Sequence, residues 1–300
     1  MCGIYGFIGK PKRGKNPIVS ELLVALAWET MRRGKDSTGF YAEGKKTEWL
    51  EKMALPADKF IDRSEYFMEA CKNAHFYMGH NRWASIGGIN ANNSHPFDKK
   101  DMVLVHNGTD ITIKKKVKAK KNSTDSEAIL THILKKGIID TAKRIMNYSL
   151  VIYDKRAKNI HFIRDIGKPM VIYDFRKTLG VQFFASTRAI MTDAFKLIGV
   201  DIDTRDGSIR TKPFREYRFS TKGKLLFRND FEPLKSTLDR MEKFLNKESI
   251  RKKAKKIITR YSPATICKDH YAKDSEYWND YSRATGVLRG KKSYSNGWSG

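Results

Sequence analysis

The chain opens "MCGIYGFIGK", Met1 to Lys10, and how its cysteine is read decides the fold. Removal of Met1 leaves Cys2 terminal, with a thiol and a free α-amine on one carbon skeleton. An α-amine titrates at about pH 8, so it accepts a proton close to neutrality. A nucleophile and its own base within one residue is the arrangement of N-terminal nucleophile chemistry. A cysteine that merely starts an apolar strand is the plainer reading of Cys2 alone, so the rest of the chain must choose. "GIYGFIG" is apolar with glycine punctuation and reads as a first, buried strand.

Working outward, "NPIVSELLVALAWETMRRG" places Asn16 as N-cap, Pro17 at the first helical position and Gly34 as the stop. Strands are expected at Thr38–Ala42 and Glu48–Met53, a helical stretch at Ala57–Lys72 and a strand at His75–His80. "DMVLVH" runs as a strand into the turn residues Asn107 and Gly108, and "STDSEAILTHILKKG" is a helix capped by Ser123 or Thr124 and ended by Gly137. From Ser149 the texture becomes serial strands: "SLVIYD", "NIHFIRD", "PMVIYD", "VQFFAST", then a closing hairpin of "REYRFS" and "KLLFRND". This order predicts an α+β layered sandwich, two largely antiparallel sheets face to face with helices outside. After about Phe231 the pattern changes to basic amphipathic helix and then an aromatic, Ser/Gly-rich tail. The expected domains are therefore 1–230 and a basic C-terminal extension, 231–300.

The chain has 300 residues, enough to bury a full core. Its three cysteines (Cys2, Cys71 and Cys267) offer neither a disulfide framework nor metal-ligand spacing, which points to a reducing, cytoplasmic setting. No apolar run reaches membrane-span length and no secretory signal precedes the first strand. A net charge of +26, densest at Ile113–Lys121 and Arg251–Arg260, admits nucleic acid as a partner. It describes a surface, not a reaction.

Hydrolysis of a carboxamide needs a nucleophile, a proton acceptor, an oxyanion hole and a grip on the substrate. Cys2 supplies the first two. In "VLVHNGTD", the Asn107 amide and the Gly108 N–H are suited to an oxyanion hole. Arg82, just beyond a strand in "GHNRWASIGG", suits bidentate capture of a carboxylate. Asp125, in the first turn of its helix, suits an ammonium group. Singly, each has an ordinary explanation: a tight turn, a surface ion pair, a favourable charge at a helix start. Together they read a free amino acid.

At these residues the sequence resembles the class II glutamine amidotransferase domain, the N-terminal cysteine glutaminase found in glucosamine-6-phosphate synthase and amidophosphoribosyltransferase. "MCGIYGFIG", "RRGKDSTGF", "GHNRWAS", "NNSHPF", "VHNG" and "STDSE" match its blocks in the same order, over roughly Cys2 to Arg228. Ile86 after Ser85, and Lys35 in "RGKDS", depart from the synthase branch, and nothing after Phe231 resembles an acceptor domain.

The resemblance implies an N-terminal nucleophile (Ntn) hydrolase fold, a four-layer αββα sandwich. It implies Cys2 as nucleophile with its freed amine as base, and Asn107 and Gly108 as oxyanion hole. Arg82 and Asp125 become the clamps on L-glutamine, Arg33 orders the nucleophile's surroundings and Trp83 lines a mobile loop. No metal or other cofactor is required. The expected function is a glutaminase passing ammonia to a separate synthase or ligase. The alternatives are an amidohydrolase of the same fold acting on another amide, and an inactive basic scaffold binding nucleic acid.

Overall fold

The computed structural model describes residues 2–120, 122–200 and 208–245. The basic run Arg251–Arg260, the aromatic tail and Cys267 lie outside the described residues. Two compact units divide the chain, the first running to Glu232 and the second beginning at Pro233.

In the first unit, β1 (Gly3–Ile8) leads into α1 (Asn16–Thr30) and a short 3-10 turn, Met31–Arg33. The hairpin β2 (Ser37–Glu43) and β3 (Glu48–Met53) is followed by α2 (Ala57–Arg63), α3 (Phe67–Asn73) and β4 (Phe76–Arg82). Next come β5 (Phe97–Lys99), β6 (Met102–Gly108), α4 (Ile111–Lys116), α5 (Asp125–Lys136) and α6 (Ile138–Ala142). Four strands follow: β7 (Tyr148–Asp154), β8 (Asn159–Arg164), β9 (Val171–Phe175) and β10 (Val181–Ala185). The unit closes with α7 (Arg188–Leu197), β11 (Ser208–Arg210), β12 (Arg215–Ser220) and β13 (Leu225–Asp230). The second unit contributes α8 (Lys235–Leu245).

The strands form two sheets, ordered β11-β9-β10-β1-β4-β2-β3 and β13-β12-β8-β7-β6-β5. Every pairing is antiparallel. Alternation along β1 explains the layers. Ile4 and Ile8 enter the core between the sheets beside Val103, Val105, Val151 and Phe162. Tyr5 and Phe7 face the other way, into an aromatic cluster with Phe40, Phe60, Phe67 and Tyr77. On the second sheet, Leu104, Leu150 and Ile152 turn outward onto Ala128, Ile129 and Ile133 of α5. The result is the expected four-layer αββα sandwich.

Some local readings are corrected. Lys15, not Asn16, is the N-cap of α1, and Pro17 takes the second helical position, where a missing N–H is still tolerated. The stretch expected as one helix is two, because polar caps interrupt it. Ser64 Oγ accepts the Phe67 N–H at 2.9 Å, and Glu51 accepts those of Glu65 and Tyr66, each at 3.3 Å. Asn107 and Gly108 are the last residues of β6, paired with Ser149 and Tyr148, rather than a turn. The lysine run contains a short helix, α4, capped by Asp110. Helix α7, absent from the sequence reading, buries Ile190, Met191, Ala194 and Phe195 on one face.

Candidate active site

Cys2 immediately precedes β1, and the register of β1 on β4 pairs Gly3 with Asn81, which sets Cys2 at the end of β4. Its sulfur lies 3.4 Å from the Trp83 N and 3.5 Å from the Trp83 O, accepting from the first and donating to the second. Arg33 Nε donates to the Cys2 carbonyl at 2.8 Å. Two more residues of "RRGKDS" complete this seat; the sequence reading gave Gly34 only a helix-stop role and passed over Asp36. Gly34 lies so close to β4 that a Cβ would stand 2.3 Å from the Arg82 carbonyl carbon and 2.6 Å from the Trp83 N. Asp36 donates its N–H to Arg82 O at 3.0 Å and accepts the Ala84 N–H at 2.6 Å. The motif's Gly-x-Asp spacing was the available signal: a close approach followed by a carboxylate that caps the next loop.

Burial pushes the Cys2 thiol up from its ordinary value. The Trp83 N–H, the chain-terminal ammonium and Arg82 pull the other way, and Asp125 adds to the rise. A thiol held protonated needs a base at the moment of attack.

Arg82 is buried, and its guanidinium donates to Ile86 O at 2.7 Å and Gly88 O at 3.0 Å. The fork therefore fastens the loop that follows it. Burial draws its basicity down, while Cys2, Asp36 and Asp125 support its charge. Trp83, at the head of that loop, is 56% exposed and is not a core tryptophan. Ser85 Oγ meets Thr109 Oγ1 at 3.2 Å, joining this loop to the end of β6.

Asn107 is buried, and its Nδ2 has no hydrogen-bond partner among the described residues. A buried amide donor left idle is costly, about 1–3 kcal/mol, and such groups call for a ligand or a role. Gly108 is confined from behind: a Cβ there would lie 2.1 Å from Asn147 O and 2.5 Å from His106 Nε2. Only glycine leaves its N–H in place. Asp125 is the first residue of α5, which Thr124 caps by accepting the Glu127 N–H at 3.1 Å. Its Oδ2 accepts the Asp110 N–H at 2.8 Å, so the carboxylate is fixed while unpaired with any cation among the described residues.

One further side chain escaped the sequence reading. Lys168 follows β8 in "RDIGKP", and burial and Arg33 depress its basicity while Cys2 and Asp165 raise it. Asp165 shapes this turn by accepting the Gly167 N–H at 2.8 Å and the Asn147 N–H. The signal was a strand-ending aspartate followed by glycine and a lysine. His80, His95 and His106 are all buried, and burial pushes each imidazole down towards neutrality. Among the described residues no group of three His, Cys, Asp or Glu side chains is placed to hold a metal ion, and no helix is long and apolar enough to cross a membrane.

No family model matches the chain. In sequence it is 26% identical over 239 residues to a glutamine–fructose-6-phosphate aminotransferase (isomerizing) of Helicobacter pylori, covering 72% of this chain and 37% of the relative. A protein of the same description from Thermococcus kodakarensis is 35% identical over 113 residues, 36% of this chain and 17% of the relative. The chain thus spans well under half the length of these curated relatives. Among solved structures it is similar to the glutamine phosphoribosylpyrophosphate amidotransferase of B. subtilis, with a TM-score of 0.57 at 17% identity. That match covers 77% of this chain and 49% of the other. A second, described as the allosteric regulatory enzyme of purine biosynthesis, gives a TM-score of 0.58 at 18% identity over the same shares. Sequence and fold therefore converge on the resemblance carried by the ordered motifs.

Proposed function

We propose that this chain, similar in motif order and in fold to the class II glutamine amidotransferase domain, is the glutaminase of such a system and hydrolyses L-glutamine to glutamate and ammonia. One observation carries the reading. The Cys2 sulfur is seated on the Trp83 main chain within the electrostatic field of Arg82 and Asp125. A cation and an anion beside one nucleophile suit the α-carboxylate and α-ammonium of a free amino acid; an amidase for blocked amides has no use for both.

After loss of Met1, the Cys2 amine takes the thiol proton as sulfur attacks the side-chain amide carbon. The carbonyl oxygen becomes an oxyanion held by the Asn107 Nδ2 and the Gly108 N–H. The adduct collapses as the α-ammonium returns its proton to the departing nitrogen, releasing ammonia and leaving a γ-glutamyl thioester. Water, deprotonated by the same amine, cleaves the thioester to glutamate and restores the thiol. Arg82 and Asp125 hold the substrate's two ends, with Arg33 fixing the Cys2 carbonyl. The ammonia passes to a synthase or ligase, and residues 1–230 form the glutaminase domain.

The test is glutamine hydrolysis by purified protein, with ammonia and glutamate released in equal amounts. Cys2→Ala, and a variant that retains Met1, should lose turnover. Full activity in either removes the proposed nucleophile or its base.

A further inference from the structure

Three buried histidines sit behind the oxyanion hole, and one of them holds a fixed donor. His80 Nε2 lies 3.0 Å from the His106 carbonyl oxygen. A carbonyl only accepts, so Nε2 carries the proton and donates, and His80 is the Nε2–H tautomer with its Nδ1 unprotonated. That carbonyl belongs to the peptide joining His106 to Asn107, so the bond grips the plane from which the Asn107 side chain departs.

The grip spans the sandwich. His80 is on β4, two residues before Arg82, in the sheet that carries Cys2; His106 is on β6, in the facing sheet. The His95 ring lies against the His80 ring, centroids 3.9 Å apart, and limits its rotation. The His106 ring is tied in turn, its Nδ1 2.9 Å from Ser126 Oγ, the residue after Asp125. Its Nε2 edge lies under Gly108, where a Cβ would come within 2.5 Å. One line of contacts thus runs from the strand of the carboxylate clamp, behind the oxyanion donors, to the helix of the ammonium clamp.

We propose that His80 is the positioning residue of the oxyanion hole, fixing the His106–Asn107 peptide through its Nε2–H so that the Asn107 amide and Gly108 N–H meet the oxyanion formed on the Cys2 adduct. This rests on the glutaminase reading. His80 touches no substrate; it acts through Asn107. A misplacement on the ångström scale at such a site costs about 100-fold in rate.

The experiment is a double-mutant cycle in the full chain, reading kcat and KM for glutamine and the rate at which iodoacetamide alkylates Cys2. Alkylation uses the same sulfur but forms no oxyanion. His80→Ala is expected to lower kcat about 10- to 100-fold, with KM and alkylation rate within about 3-fold of the parent. His80→Gln, whose amide donates from a similar reach, is expected to recover most of that loss. On an Asn107→Ala background, His80→Ala should add little, because the donor it positions is gone. An unchanged kcat in His80→Ala, an equal loss on both backgrounds, or a parallel fall in alkylation overturns the assignment. Should His80→Ala fail to fold, Ser126→Ala, which loosens His106 from the other side, is put through the same cycle with the same expectations. A wild-type chain that does not hydrolyse glutamine defeats the glutaminase reading instead, a result distinct from any of these.

Discussion

Asn107→Ala separates chemistry from folding. In the folded protein the Asn107 Nδ2 is buried and unpartnered among the described residues, which costs about 1–3 kcal/mol relative to a satisfied or absent amide. Replacing it with alanine removes that penalty, and the lost side-chain volume gives some of it back as a small void. The net change in stability is expected to lie between zero and a gain of about 2 kcal/mol, no more than about 8 °C upward in Tm for a domain of this size. Catalysis moves the other way. Losing one preorganised donor to an oxyanion costs about 100- to 1,000-fold in kcat, equivalent to about 2.7–4 kcal/mol. The assays are glutaminase kinetics and thermal unfolding on the same preparation, with KM expected to stay within about 3-fold. A fall in Tm of several degrees, or activity within about 3-fold of the parent, refutes the assignment, since the amide would then be serving the fold or nothing.

Asp125→Asn keeps an acceptor for the Asp110 N–H, seen at 2.8 Å, but removes the charge, so the fold should survive while KM for glutamine rises about 10- to 100-fold. A glutamine analogue lacking the α-amine should be processed equally by parent and variant; a difference would show that Asp125 serves something else. Glu29 supplies a pH signature. Burial, partly offset by Arg32, raises its carboxyl to about 7. Because this exceeds the unfolded value of about 4.3, the associated stability is full below about pH 4.3 and is lost as pH climbs towards 7. Glu29→Gln should therefore stabilise the protein above pH 7, by up to about 3 kcal/mol, and do little near pH 4; equal Tm differences at pH 4.5 and 8 would contradict it.

The αββα architecture was legible because β1, β6, β7 and β10 are near-continuous apolar runs, and because Pro17 marks the start of α1 and Thr124 caps α5. What escaped has physical causes. Helix α7 is capped by Thr187, which ends the apolar run "VQFFAST", so the strand's signal masked the helix cap. The break at Ser64 combines a local cap on the Phe67 N–H with acceptance by Glu51, distant in sequence, which no local pattern announces. In the proposed site, Cys2, Arg82, Asn107 and Asp125 could be nominated because their types state their chemistry. Gly34, Asp36 and Lys168 were not, since their parts arise from strand proximity that only the folded sheet creates. The charge of the lysine run said nothing about the site: α4 is a short element on the outer layer, and its capping residue Asp110, not its lysines, meets Asp125.

The strand that follows Cys2, β1, lies in the middle of its sheet, with Tyr5 paired to Gly79 on one side and to Ala185 on the other. β1 thus pairs with strands made much later in the chain, and a topology so rich in distant pairings folds slowly. A chain truncated before Ala185 leaves β1, and Cys2 just ahead of it, without one of the two strands that flank it.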